Sequence, residues 1–463
     1  MRHIKVSWFG LDFGLDQLEG GRVLDIAYKR AHKQAHAREQ SREQAREQAQ
    51  RSSKMGCMNR MGRKYMFGNT GTLGLFGAMA LAAVSVFGLV GCEKGASKSV
   101  PDTKPSAVTT GPIKVGHYAS LTGSEATFGI STDNGIKLAI EERNAAGGVR
   151  GRPILLITYD NQGKQQETVT VVTRLVQQDK VTALLGEVAS SRSMAGGPVA
   201  QKFGVPMISP SSTNADVTAI GDMIFRVCYI DEFQGYVGAK FAVENLKKLK
   251  AATLFNRAQA YSSGLNKNFI EAYEKLGGKV LVQQAYGDGD NDFAAQLSAI
   301  REAGVDFIYV PGYYTEVVNI AKQARKLGLK IPLIGADGWD SEELKNAGDS
   351  LDGCFFTNHY AKEDTRKEVV DFVAKYKAKF GNVPDGLAAL GYDAARLLFD
   401  SMDRAPDLEG KSIAAAIAAT KNFPGVTGKI TIDEKRNANK DAVVLQITDG
   451  VPKYVATIPA PTN

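Results

Sequence analysis

Three short stretches hold most of the side chains whose types and spacing could do chemistry. Gly186-Glu-Val-Ala-Ser-Ser-Arg-Ser193 and Pro210-Ser-Ser-Thr213 are hydroxyl clusters, each just past an expected strand. Hydroxyls at a helix start cap it, and with free backbone N–H groups they take up an anion such as a carboxylate. Ser190, Ser191, Ser211 and Thr213 are the candidates, with capping the competing use of any single serine. Gly335-Ala-Asp-Gly-Trp-Asp340 offers Asp337 either as the partner of a cation such as an α-ammonium or as a turn former. Tyr261, Tyr313 and Trp339 are suited to wall an apolar or cationic group, and Phe128, in the loop after the first strand, to touch it. Hydroxyls in one half facing an acid and aromatics in the other describe a trap for a zwitterion.

Catalysis finds little support. The sequence contains no Gly-x-Ser-x-Gly, His-Glu-x-x-His, Gly-x-Gly-x-x-Gly or P-loop pattern. Of five histidines only His117 and His359 lie beyond residue 91. Cys228 and Cys354 fall in expected strands, where a buried thiol is the default and pairing is left open. No catalytic residue, metal site or cofactor is expected.

The elements that must position these loops alternate. Strands are predicted over 113–119, 154–159, 183–185 and 205–209, with helices over 129–144, 165–178 and 190–203 between them. The alternation restarts after Asp231: helices 234–246, 263–276, 293–302 and 316–327 against strands 252–255, 279–285, 307–310 and 332–334. Strand 353–358, helices 366–380, 386–402 and 412–420, and strands 429–432 and 443–447 follow. Such a pattern predicts an α/β protein of two doubly wound parallel-sheet lobes, with ligand outside the carboxyl ends of the strands.

Charge locates the remaining sequence signal. The net +7 belongs to residues 1–91, which carry 14 Lys/Arg and 7 Asp/Glu; residues 92–463 carry 43 of each sign, so nucleic acid is not an expected partner. Residues 1–54 end in a low-complexity Arg-Glu-Gln run and read as a doubtful leader, with translation expected to start at Met55, Met58 or Met61. Basic residues 54–64, an apolar run over 73–89 and Leu89-Val-Gly-Cys92 read as a secretory signal over 55–91. Leu-Val-Gly-Cys is similar to a lipobox, which implies acylation of Cys92 and a membrane anchor followed by a tether over 92–111.

Asn144-Ala-Ala-Gly-Gly-Val-Arg-Gly-Arg-Pro153, Tyr159-Asp-Asn161, Val205-Pro-Met-Ile-Ser-Pro-Ser-Ser-Thr213, Ile224-Phe-Arg226, Gly312-Tyr-Tyr314 and Gly335-Ala-Asp-Gly338 carry a family resemblance. In their order and spacing the chain resembles the branched-chain amino-acid binding proteins of bacterial ABC importers, which have the type I periplasmic-binding fold. The resemblance implies lobe 1 over 112–230 with 361–433, lobe 2 over 231–360 with 434–463, and a three-strand hinge. Its crossings would lie near 229–231, near 359–361 and after Asp433. It further implies that Ser190, Ser211 and Thr213 hold a ligand carboxylate, Asp337 its ammonium, and that Tyr261 and Tyr313 line the cleft. Phe128 stands where the family commonly has Tyr, Leu387 where it often has an aromatic near the third crossing, and Asp337 where its branched-chain receptors usually have Glu. Asn161 and Ala189 lie near the positions of a disulfide found in some members. The expected protein is a lipid-anchored receptor on the periplasmic side that delivers an amino acid to ABC permease subunits. The competing reading is a sensory module of the same fold for an amide or small carboxylate.

Overall fold

Residues 111–461 are described by a computed structural model, together with the backbone of a separate antiparallel hairpin, β1 (Lys5–Trp8) and β2 (Leu11–Gly14). The readings of the leader apart from that hairpin, the signal, Cys92 and the tether up to residue 110 lie outside the described residues. Among the described residues, no helix is long and apolar enough to cross a membrane.

Two sheets carry the body. The first joins β3 (Ile113–Ala119), β4 (Ile154–Asp160), β5 (Ala183–Leu185), β6 (Met207–Ser209) and β7 (Ile224–Arg226) in the order β4-β3-β5-β6-β7, all parallel. β5, β6 and β7 are buried throughout, as expected of a parallel sheet covered by helices on both faces. The second sheet repeats this winding with β8 (Lys250–Asn256), β9 (Lys279–Tyr286), β10 (Phe307–Tyr309), β11 (Leu333–Gly335) and β12 (Phe355–Asn358), ordered β9-β8-β10-β11-β12. In both sheets the connections run to opposite sides of the first strand, so the loops after β3 and β5, and after β8 and β10, flank a switch point.

The chain after β12 divides between the halves. Helices Lys367–Phe380 and Gly386–Arg404 return to the first half, where the Tyr392 hydroxyl donates to Glu142 Oε2 at 2.8 Å. The helix Gly386–Arg404 lies so close to Ala126–Ala145 that a Cβ on Gly135 would stand 2.0 Å from the Ala388 carbonyl oxygen; glycine makes that approach possible. A small sheet of β13 (Phe423–Gly425), β14 (Gly428–Ile432) and β15 (Ala438–Asn439) follows. β16 (Ala442–Thr448) and β17 (Val451–Ile458) then extend the second sheet antiparallel to β12, so that sheet is mixed rather than wholly parallel.

Several bounds differ from expectation for physical reasons. Residues 434–439 stay with the first half, since Ala438–Asn439 pairs with β14 and Asn437 Oδ1 accepts from Thr218 Oγ1 at 2.9 Å. The third crossing is therefore at Lys440–Asp441, beyond the division implied after Asp433. The helix expected over 234–246 begins at Asp231 and widens into a π turn over Phe241–Asn245. β17 is an exposed edge strand with Pro452 and Lys453, a composition that hides a strand from period-two reading and discourages further pairing.

Candidate functional site

In the first half, the loop after β5 is built around a buried ion cluster. Glu187 accepts from Ser120 Oγ at 2.8 Å, Asn161 Nδ2 at 3.0 Å and the Ala189 amide at 2.7 Å, and meets Arg192 Nε at 3.1 Å. Arg192 also pairs with Glu125, which comes from the loop after β3. Burial pushes the Glu187 carboxyl up, but Arg192 and the three donors outweigh it and hold it below the usual range. The Glu187 carbonyl takes the hydroxyls of Ser193, Ser209 and Ser212, at 3.2, 2.8 and 2.9 Å. Arg226, buried at the end of β7, donates to the carbonyls of Ser212 at 2.5 Å and Asn214 at 2.7 Å. Ser193, Ser209 and Ser212 therefore fix their own loops.

Ser211 lines an inner cavity between the halves. Ser190 is buried and its Oγ accepts from the Asn214 amide at 3.2 Å. Thr213 is buried, and its carbonyl accepts from the amide of Asp231 at 2.9 Å, at the first crossing. Ser191 reaches across instead: its Oγ accepts from the Ala260 amide of the second half at 3.1 Å. Tyr314 OH to the Ser124 carbonyl at 2.9 Å, and Thr127 Oγ1 with Ser341 Oγ at 3.0 Å, are further bonds between the halves.

In the second half, Asp337 stands at the carboxyl end of β11 with its carboxylate facing three donors. Oδ1 accepts from the Tyr261 hydroxyl at 2.8 Å and from Gln234 Nε2 at 2.9 Å, and Oδ2 lies 3.1 Å from His359 Nε2. Tyr261 and Tyr313 stack with centroids 5.1 Å apart and planes 4° from parallel, and Phe128 meets Tyr313 edge-on at 5.6 Å. Burial raises both tyrosine hydroxyls well above their ordinary range, so they remain protonated donors. A Cβ on Gly338 would stand 2.7 Å from the Gly312 carbonyl and 3.0 Å from the Tyr261 hydroxyl, which only glycine permits.

Trp339 is a correction. It does not line the cavity: its indole is fully buried, packs over Gly335, tilts against Phe356 and donates to the Val310 carbonyl at 3.0 Å. An indole N–H needs a partner when buried, and a strand carbonyl inside the second half supplies it.

The inner cavity is walled by Phe128, Val188, Leu387, Tyr261 and Tyr313, with Ser211 and Asp337 as its polar side chains. About 220 Å³ lies between its atoms, solvent at its open side included, of which about 10 Å³ admits the centre of a water molecule. That is room for one water and not for an amino acid, so the halves as they stand are drawn together. Beside it, sharing Tyr313, a space in which about 300 Å³ admits the centre of a water molecule forms a polar mouth with Glu125, Arg192, Asp288, Asp290 and Glu316. Among the described residues, no three His, Cys, Asp or Glu are placed to hold a metal ion. Cys228 and Cys354 are both free and buried.

Sequence reasoning missed Gln234, His359, Arg226 and the cluster of Glu125, Glu187 and Arg192. Gln234 and Arg192 sit among polar residues on ordinary helices, and His359 follows a strand with no pattern of its own. Arg226 lies in a stretch the resemblance singles out but carries no role there. No local signal marks them, because each acts on a partner distant in sequence.

Comparison with known proteins agrees with this architecture. A family profile described as periplasmic binding protein matches residues 112–451. The leucine-, isoleucine-, valine-, threonine- and alanine-binding protein of Pseudomonas aeruginosa is 31% identical over 328 residues, 70% of this chain and 86% of that protein. A leucine-binding protein, LivK, from Thermotoga maritima superimposes with a TM-score of 0.73 at 37% identity, covering 75% of this chain and 99% of that one. A solute-binding protein of an ABC transporter from Rhodopseudomonas palustris, solved with 3,4-dihydroxybenzoic acid, gives a TM-score of 0.69 at 26% identity, covering 76% and 98%. The chain belongs to the periplasmic binding protein family, as an ABC-transporter substrate-binding protein of the Leu/Ile/Val-binding group and not an enzyme.

Proposed function

We propose that this substrate-binding protein closes its two halves over one α-amino acid with an apolar side chain, anchored to the membrane through an acylated Cys92, and delivers it to a permease. Asp337 carries the ligand class. A buried carboxylate beside an otherwise apolar cavity suits a ligand ammonium, while Ser211 and the neighbouring loop suit the ligand carboxylate. Phe128, Val188 and Leu387 then meet the side chain. Because the cavity holds little more than a water, binding begins with the halves parting at the three crossings and ends with their closing on the ligand.

The stacked Tyr261 and Tyr313, and the aromatic acid bound by the Rhodopseudomonas relative, favour a second reading as a receptor for an aromatic carboxylate. Asp337 opposes it, since a ligand with a carboxylate and no ammonium would bring like charges together in a buried site. Calorimetric titration with leucine, isoleucine, valine, alanine and benzoate decides between them. Binding of the amino acids and none of benzoate is expected; the reverse overturns the reading. Mass spectrometry of membrane-extracted protein beside a Cys92→Ala variant tests the anchor, with an acylated N-terminal cysteine expected only in the unaltered chain.

A further inference from the structure

The acid in the cleft is tied to the hinge behind it. His359 lies in the second crossing, immediately after β12, fully buried with Nε2 3.1 Å from Asp337 Oδ2. Its ring stacks on Tyr229 of the first crossing, centroids 3.7 Å apart and planes 25° from parallel. The third crossing adds Lys440, buried, whose ammonium donates to Thr427 Oγ1 and whose charge acts on His359. Each crossing thus places one polar side chain in a cluster behind Asp337. Gln234, which donates to both Asp337 Oδ1 and Thr357 Oγ1, holds the other carboxylate oxygen.

The chemistry of the contact follows from the charge on the ring. Burial lowers His359 to about 4, against the raising effect of its bond to Asp337 and with the help of Lys440, so the imidazole is neutral at pH 7. A neutral imidazole has one N–H, and a carboxylate accepts only, so the proton sits on Nε2. Nδ1 makes no hydrogen bond among the described residues, which leaves the Asp337 contact as the ring's polar tether. His117 is wired the opposite way, with Nδ1 2.8 Å from the Leu185 carbonyl and therefore protonated there.

We propose that His359 is a positioning residue for the ligand acid: its Nε2–H holds Asp337 Oδ2, and its stack on Tyr229 makes that hold depend on how the first two crossings lie against each other. Asp337 is then aimed into the cavity when the crossings are in their closed arrangement and released from that aim when they move apart. The inference rests on the reading of Asp337 as the partner of the ligand ammonium.

Titration with leucine of the full chain and of Asp337→Ala, His359→Leu and His359→Gln tests it. Asp337→Ala is expected to lose binding, His359→Leu to weaken it at least tenfold, and His359→Gln, which keeps an N–H donor, to stay within threefold of the unaltered protein. Loss in Asp337→Ala with none in His359→Leu overturns this inference alone. Full affinity in Asp337→Ala overturns the reading of the acid and this inference with it. Equal losses in His359→Gln and His359→Leu overturn the donor role. Should His359→Leu not fold, nitrogen NMR of the unaltered protein is decisive without ligand: an Nε2–H tautomer supports the assignment and an Nδ1–H tautomer overturns it.

Discussion

The two halves share one winding and put it to different uses. β4-β3-β5-β6-β7 and β9-β8-β10-β11-β12 have the same order, and both direct loops at the cleft from the carboxyl ends of their strands. In the first half the polar residues of those loops bind one another: Glu187 collects donors from Ser120, Asn161, Ala189 and Arg192 on its carboxylate, and three hydroxyls on its carbonyl. In the second half the donors converge on a single carboxylate that also lines the cavity. A common topology fixes where a site lies, and the loop residues decide whether their polarity serves the scaffold or a ligand.

That contrast is open to direct attack. Asp337→Asn should show the largest effect: it keeps the shape but removes the charge proposed to face the ligand ammonium, a loss of about 3–5 kcal/mol, roughly two to four powers of ten in calorimetric affinity. Glu187→Ala should do the reverse. It leaves Arg192 buried with Glu125 alone, so a stability loss of about 3 kcal/mol is expected in denaturant unfolding, larger than its effect on ligand specificity. If Asp337→Asn unfolds the protein as readily as Glu187→Ala, the division of labour between the halves is wrong. Ser211→Ala should weaken amino-acid binding by about 1 kcal/mol, roughly fivefold, while leaving unfolding nearly unchanged.

The smallest effect concerns the place where the halves meet near the hinge. Asp385, from the first half, caps its helix by accepting from the Ala388 amide at 2.8 Å, and Asp340, from the second, accepts from the Gly386 amide at 2.7 Å. Burial, then Asp340, raises Asp385 to about 7. A carboxyl raised above its unfolded value destabilises the fold once ionised, and the penalty is relieved as pH falls through the raised value toward the unfolded one. His359, lowered to about 4, acts in the opposite sense below about pH 6.5, while Lys440, lowered to about 8 by burial, and Asp231, raised by burial, also bear on the range from 6.5 to 8, so it is the comparison with Asp385→Asn that isolates the carboxyl pair. Tm is expected to fall further from pH 6.5 to 8 in the unaltered protein than in Asp385→Asn, and equal falls in the two overturn the assignment.

Much of the architecture was legible because it is local. The helix over Ser190–Phe203 and the strand over Ala183–Leu185 have the bounds their spacing predicts, and the restart of the alternation after Asp231 marks the second half. Trp339 was misread because a tryptophan in a loop after a strand looks available, whereas the close approach at Gly335 draws it into the core. Asn161 and Ala189, near the positions of a disulfide in some relatives, gave no hint that Glu187 joins them through hydrogen bonds of 3.0 and 2.7 Å. Such a bridge needs a third residue whose side chain sequence order does not place.

The sequence by itself determined the alternating α/β pattern, the charge neutrality of residues 92–463 and the loops that reach the cavity between the halves, since periodicity and composition are properties of short windows. Only the tertiary structure decided which hydroxyls are taken up by the scaffold, which tyrosines stack, and that His359 and Gln234 lie against Asp337. Those facts depend on groups from 6 to 103 residues apart meeting in a low-dielectric interior, where hydrogen-bond partners are fixed by packing and not by adjacent residues in the chain.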